Sequence, residues 1–478
     1  MEKKIKKIRG LRTWQLVMLA LGTVIGGSFF LGSAVAIHAA GPSILFGFIY
    51  GGAMVYFILF ALSEMTVANP HAGSFRTFAA QVFGQGTGFV VGWVYWTGMV
   101  LAMSSEATAI SILVQNWLPD MPIALMGSAI IIGVTLLNLL GAEKLSNLES
   151  GLAAIKLFAV VSFIIMAILL IAGVFAGKPA IGLGALANEP LLPMGIAGLA
   201  GSMIIVIFTY AGFEIIGLAA SEAETPKTTI PKAIKYTVIS LVGLYIIYIL
   251  FLLPLIPTAQ INENTSPIVA ALNMHGFTWA GNALNIVVIT AILSTTLATM
   301  FGIGRMMRSL AEEGLAPKWL KEKTDVPYHG IIFSGLAMLL ALGLGLLFHR
   351  VYLFLISSGG FAVLFSYVII MATHIRFRKK YGCPPNGKCQ VWGYPYTSYL
   401  VLFSLIAAMV SMPFVAGQTS GLIAGLIIVA LYSLSFLFMR YYKRKEKSAR
   451  LFAKKRANLS VELSEELTAI NNKKKDKI

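Results

Sequence analysis

The sequence predicts an all-α integral membrane protein with twelve transmembrane helices, and three observations carry that reading. The 478-residue chain is 57% hydrophobic and only 12% charged, with a mean hydropathy of +0.81. So much apolar surface exceeds what one soluble core can bury, and lipid is the solvent it calls for. Twelve stretches also reach the roughly 20 mostly apolar residues that a spanning helix needs. Finally, the Lys and Arg residues collect on one side of those stretches.

In chain order the spans are 14–37, 43–68, 86–113, 122–141, 151–175, 195–220, 233–257, 279–303, 331–349, 352–375, 396–416 and 421–440. A short basic run, Lys3, Lys4, Lys6, Lys7, Arg9 and Arg12, precedes the first span, and no small-residue cleavage site follows a short apolar core. Span 1 is therefore expected to be an uncleaved helix rather than a signal peptide. With the N-terminus inside, 34 of the 37 Lys and Arg fall in cytoplasmic segments, against Lys178 and Arg350 outside and Lys156 within span 5. Cationic loops are retained in the cytoplasm. Both termini are thus expected to be cytoplasmic, in a plasma or inner membrane.

Residues 1–13 read as a basic N-terminus, 14–440 as the helical domain and 441–478 as a mixed-charge cytoplasmic tail. The net charge of +17 is mostly topology signal and does not point to nucleic acid; the Lys-rich stretch at 440–456 suits anionic lipid head groups. Residues 457–478, an acidic stretch followed by KKKDK, read as a short mobile tail. Cys383 and Cys389 flank five residues in CPPNGKC, with no second Cys pair and no nearby His. That spacing speaks against zinc, and a reduced, solvated turn is expected. No Gly-rich phosphate loop, HExxH or GxSxG is present, so neither an enzyme nor a nucleotide-driven pump is expected, and no cofactor or metal.

Spans 1 and 6 carry the chemistry. Span 1 contains Gly22-Thr23-Val24-Ile25-Gly26-Gly27-Ser28, and span 6 reads Phe208-Thr209-Tyr210-Ala211-Gly212-Phe213-Glu214, a carboxylate beside a Gly in an apolar helix. Close helix packing accounts for many such glycines. An interruption accounts for them too: an unwound helix exposes N–H and C=O groups that are tolerable only where they line a cavity. Freed N–H groups suit a carboxylate and freed C=O groups suit a cation, so a zwitterionic amino acid would supply both partners.

Ionisable residues at membrane depth are rare and functional by default. They are Glu106 in span 3, Lys156 in span 5 and Glu214 in span 6, while Glu64 ends span 2 and could simply be solvated. For Lys156 two readings stand: a stem that snorkels to the interface, or a buried amine that gains and loses a proton. For Glu106 and Glu214 the alternatives are a hydrogen-bond clamp between helices and a proton-coupling carboxylate. Ser104, Ser105, Thr108 and Ser111 put Glu106 on a protein-facing or wet surface. The six His residues form no metal-ligand spacing.

Five segments in order resemble the amino acid–polyamine–organocation superfamily, and within it the bacterial amino acid permease branch, over roughly residues 8–440. They are GTVIGGSFFLGS in span 1; Leu62-Ser63-Glu64-Met65 through Asn69-Pro70-His71-Ala72-Gly73-Ser74-Phe75; Gly92-Trp93-Val94-Tyr95-Trp96; FTYAGFEIIGLAASEAETP continuing to Ile230-Pro231-Lys232-Ala233-Ile234; and GRMMRSLAEEGLAPK. The resemblance implies a LeuT-like fold of five plus five helices in inverted repeat, about 14–175 and 195–375, with two further helices at 396–440. It implies a substrate carboxylate on the amides around Gly26, Gly27 and Ser28. The ammonium would meet carbonyls near Thr23, Val24 and Ile25, and others around Phe208, Thr209 and Ala211, with Tyr210 and Phe213 as gating or side-chain contacts.

Lys156 matches in position the Lys that replaces sodium in proton-coupled members. Two positions depart from the family pattern. Gly27-Ser28 reverses the usual small-hydroxyl then Gly order, and Leu297-Ala298 stands where an Asn-Ser pair is common, with hydroxyls at Ser294, Thr295, Thr296 and Thr299 instead. The expectation is a secondary transporter of amino acids, a proton-coupled importer of neutral substrates working by alternating access. An exchanger, or a permease for basic amino acids or gamma-aminobutyrate, uses the same site, and a non-transporting membrane sensor is the remote alternative.

Overall fold

The computed structural model describes residues 11–69, 71, 73–175, 179–218, 223–322, 324, 326–383 and 389–442, the side chains at 142–150 and 153 excepted. The basic run before Arg12, Pro70, Ala72, Lys178, part of the ASEAETP segment, Lys388 and the tail beyond 442 lie outside the described residues. Residues up to Ile428 form one compact unit and those from Val429 a second. Both interrupted spans belong to the first unit.

Its helices are α1 (Thr13–Val24), α2 (Ser33–Ala40), α3 (Ile44–Ala68), α4 (Ser74–Phe83), α5 (Gln85–Val114), α6 (Ile123–Asn138), α7 (Ala142–Ile171), α8 (Gly195–Thr209), α9 (Ile215–Leu218), α10 (Pro226–Leu252), α11 (Pro267–Met274), α12 (Thr278–Glu312), α13 (Tyr328–Gly345), α14 (Val351–Tyr381) and α15 (Tyr396–Val410). Among the described residues, eight helical stretches are long and apolar enough to cross a membrane. Four shorter apolar helices accompany them, α1, α6, α8 and α15. Two of these, α1 and α8, lie in the spans that the sequence reads as interrupted. The chain is a multi-pass helical membrane protein.

The centre of the unit is α5 against α14, the most extensive helix pair. Small residues make the crossing: a methyl on Gly98 would stand 2.7 Å from Ala362 Cβ, and one on Gly359 would stand 3.1 Å from the Ala102 nitrogen. In lipid, where no hydrophobic force drives helices together, close backbone approach supplies the packing energy. The apolar windows of both helices are 83% buried, against 33% for residues 154–171 of α7. Phe158, Leu340 and Leu347 are outward and exposed, which in a bilayer is burial in lipid.

Two expectations are corrected here. Glu64 is not solvated: it is fully buried, its Oε2 2.7 Å from His374 Nε2 and its Oε1 accepting the amides of Gln390 and Val391. The chain after α14 folds back over the end of α3 and supplies those amides. Cys383 and Cys389 form a disulfide, where a reduced turn was expected; their Cα atoms lie 5.4 Å apart, within bridging range.

Candidate functional site

α1 stops at Val24, and Ile25 turns out of helical geometry with φ −78° and ψ 95°. Helical structure resumes only at the wide turn Ser28–Gly32 leading into α2. The nitrogens of Phe29 and Phe30 both bond to the Gly26 carbonyl, and because the α1 ladder stops at Ile25 the Gly27 and Ser28 amides are satisfied from elsewhere. Glu106 of α5 satisfies them, with Oε2 2.8 Å from Gly27 N and Oε1 3.2 Å from Ser28 N.

The carbonyl side of the break is equally engaged. Lys156 of α7 is 1% exposed, and its Nζ donates to Gly22 O at 2.6 Å and to Thr295 Oγ1 at 2.8 Å. The Thr295 hydroxyl lies 3.0 Å from Ile25 O, and the Tyr352 hydroxyl donates to Gly27 O at 3.3 Å. The amine of Lys156 thus points into the α1 break. A buried ammonium needs such acceptors, because its desolvation costs several kcal/mol.

The second break follows α8. Gly212 has φ +106°, a conformation that L side chains rarely adopt, and a Cβ there would meet the Thr23 carbonyl oxygen at 3.0 Å. Glu214, 1% exposed, folds back so that Oε2 accepts Gly212 N at 3.0 Å. Tyr95 donates to its Oε1 at 2.7 Å and Tyr367 to its Oε2 at 3.0 Å. The Tyr245 hydroxyl takes the Thr209 carbonyl at 3.1 Å, Tyr210 donates to Phe48 O, and Phe213 stacks on Tyr367. Three donors hold Glu214 as a clamp between α5, α14 and the α8 turn.

Between the breaks lies a cavity of about 40 Å³, lined by Thr23, Val24, Ser28, Phe208, Ala211 and Gly212 from the broken helices, Met99, Ala102, Met103 and Glu106 from α5, and Thr295, Thr296 and Thr299 from α12. A second cavity of the same volume adjoins it, sharing Thr23, Met99, Gly212 and Thr299 and adding Tyr95 and Met306. Both are far below the roughly 300 Å³ of a small-molecule pocket, so the helices must part before a substrate fits. A larger open cavity, about 510 Å³ between Arg12, Trp14 and Tyr236, is a surface groove away from both breaks.

Of the sequence-predicted residues, Thr23, Val24, Ser28, Phe208, Ala211 and Glu106 line the inter-break cavity. Ile25, Gly26, Gly27, Thr209, Tyr210 and Phe213 are buried in or beside the breaks without lining it. Lys156 reaches it through Thr295. The residues that sequence reasoning missed are the phenols Tyr95, Tyr245, Tyr352 and Tyr367, together with Met99, Ala102 and Met103. For the last three a signal existed: 99, 102, 103 and 106 follow the i, i+3, i+4, i+7 pattern of one helix face, and Glu106 already marked that face. Among the described residues no group of His, Cys, Asp and Glu could hold a metal.

Two interrupted helices face each other across a small buried cavity, a setting in which irregular backbone at membrane depth is tolerated. The family model for amino acid permeases matches residues 15–456, and the chain belongs to that family of transporters. It is 30% identical to the gamma-aminobutyric acid permease of Bacillus subtilis over 445 residues, 92% of this chain and 95% of the relative. It is 32% identical to the aromatic amino acid transport protein AroP of Escherichia coli O6:H1 over 448 residues, 92% and 96% of the two chains. The amino-acid permease AapA of Bacillus subtilis is 32% identical over 412 residues, 85% and 89%.

Proposed function

We propose that this permease is a proton-coupled importer of neutral amino acids working by alternating access. The observation that carries the reading is the Lys156 ammonium, buried and donating to the Gly22 carbonyl at the α1 break. Such an amine puts a removable charge where substrate-binding backbone is exposed. Protonated, it holds the α1 break in its binding arrangement; neutral, it donates more weakly and loosens that break so that substrate can leave. Substrate and proton bind from outside, the broken helices rock against the remaining ones, and both are released inside.

In this reading the substrate carboxylate meets the amides of Gly27 and Ser28, and the ammonium meets carbonyls near Thr23, Val24, Ile25, Phe208, Thr209 and Ala211. Tyr210 and Phe213 set the fit around the side chain, and Lys156 and Glu106 handle the proton. Glu214, held by three donors, positions the second break. The twelve-span topology, the five-plus-five repeat, cytoplasmic termini in the plasma membrane and lipid contacts of the basic tail complete the proposal. The domain limits proposed are 1–13, 14–440 and 441–478.

A relative named for gamma-aminobutyric acid and another for aromatic amino acids favour a substrate without net charge over a basic one. Uptake into proteoliposomes separates the mechanisms. A proton-coupled importer moves radiolabelled substrate into an amino-acid-free lumen under an inward proton gradient. Entry only when the lumen is preloaded with amino acid would establish an exchanger instead, and a requirement for sodium would remove the role given to Lys156.

A further inference from the structure

The amides that best suit a substrate carboxylate already hold one belonging to the protein. We propose that the Glu106 carboxylate and the carboxylate of the substrate are alternative occupants of the Gly27 and Ser28 amides, so that substrate enters the site only as Glu106 leaves it. The inference rests on the amino acid permease reading above and deepens it.

Four features carry it. The two oxygens of Glu106 reach two successive amides, at 2.8 and 3.2 Å, the arrangement that a free carboxylate would adopt at a helix start. Neither amide bonds to a backbone carbonyl, because the helical ladder of α1 stops at Ile25. The absence of a side chain at Gly27 admits Glu106: a Cβ there would stand 3.0 Å from Oε2 and 3.2 Å from Cδ. Last, Glu106 and Ser28 line the same cavity, so the carboxylate has a space to swing into.

The exchange has a proton balance. A displaced Glu106 would sit as an anion in a small cavity beside the substrate's anion, and like charges at that range disfavour the charged form. Glu106 therefore leaves the amides as the neutral acid, taking one proton on a carboxyl oxygen from the outer solution. When the substrate departs inward, the proton leaves and the carboxylate returns to the amides. The titratable groups that face Glu106 from the surrounding helices are Lys156 of α7, Tyr245 of α10 and Tyr352 of α14. Lys156 is engaged with Gly22 O and Thr295, and neither phenol supplies a charge at neutral pH. The substrate class follows: a ligand needs a free carboxylate, and an amine lacking one cannot displace Glu106.

The test is a thermal-stability titration of the purified full chain, wild type and Glu106→Gln, with an equimolar mixture of the twenty common amino acids and gamma-aminobutyrate. The matching mixture of decarboxylated amines is the control. At pH 7.5 the variant should half-saturate at roughly tenfold lower concentration, because no internal carboxylate competes. Wild-type binding should tighten as pH falls while the variant's stays flat, and the amines should stabilise neither protein. Unchanged or weaker binding by a folded variant overturns the proposal and makes Glu106 a fixed clamp or an ammonium contact. Should Glu106→Gln not fold, Glu106→Asp, whose side chain is one methylene too short to span both amides, must shift the titration the same way, and a shift to weaker binding overturns it equally. If the amino acid mixture stabilises neither protein, the permease reading itself fails.

Discussion

At the break after α1, the freed amides of Gly27 and Ser28 are taken by a carboxylate from α5, and the freed carbonyl of Gly22 by an ammonium from α7. At the break after α8, the freed amide of Gly212 is taken by Glu214 from the same turn, and the Thr209 carbonyl by the neutral phenol of Tyr245. Both breaks face the same problem, since each unsatisfied polar group in a membrane interior costs several kcal/mol. They differ in what satisfying it allows. Charged partners on separate helices can be released by a proton gained on the carboxylate, a proton lost from the ammonium, or a competing ligand. A carboxylate bound within its own turn and held by two further hydroxyls has no such exit. The first break reads as the responsive half of the site and the second as its fixed wall.

Four substitutions break or sharpen that contrast. Lys156→Met should have the largest effect, abolishing pH-gradient-driven accumulation in proteoliposomes while the protein still inserts and folds; undiminished accumulation would give Lys156 a purely structural role. Glu214→Ala leaves the Tyr95 and Tyr367 hydroxyls and the Gly212 amide without their acceptor. It should cost about 3 kcal/mol or more of stability, seen as an earlier thermal transition, without altering how binding depends on pH. A pH dependence that changed with it would erase the distinction between the two breaks.

Gly212→Ala forces a Cβ into positive φ against the Thr23 carbonyl and should destabilise by about 1–3 kcal/mol, again with the pH profile of binding intact. The smallest effect is expected far from both breaks. Arg76, fully buried, holds Glu313 at 2.6 and 2.7 Å and also reaches Ser309. These hydrogen bonds keep the Glu313 carboxyl below the usual carboxylate range. A depressed folded-state value stabilises fully above the unfolded value of about 4.3 and loses that contribution as pH falls through the folded one. Glu313 is 37% exposed, so Glu313→Gln should lower stability at pH 7 by about 1 kcal/mol at most, and the two proteins should converge toward pH 3.

Local pattern made part of the site legible in the sequence. Paired Gly-rich interruptions marked both breaks, a lone Lys in an apolar span marked the amine, and a four-residue helical face ran through Met99, Ala102, Met103 and Glu106. The pairings were not legible, because they join residues far apart in the chain: Glu106 lies 79 residues from Gly27, and Glu64 lies 310 from His374. Hydropathy assigns a residue to a span and a face without saying which helix meets it. The tyrosines that hold Glu214 and Thr209 were invisible for the same reason, since a phenol within an apolar helix looks like any other aromatic until its hydroxyl has a partner.

The most direct test of the contrast is the proton taken up when substrate binds, read as a pH change in a weakly buffered detergent solution of the purified protein on adding saturating neutral amino acids. A responsive first break and a fixed second one predict uptake approaching one proton per molecule in wild type, the same in Tyr367→Phe, where the second break keeps its carboxylate, and none in Glu106→Gln. Uptake that persists in Glu106→Gln, or that is absent from a wild type shown to bind, would contradict that division of roles.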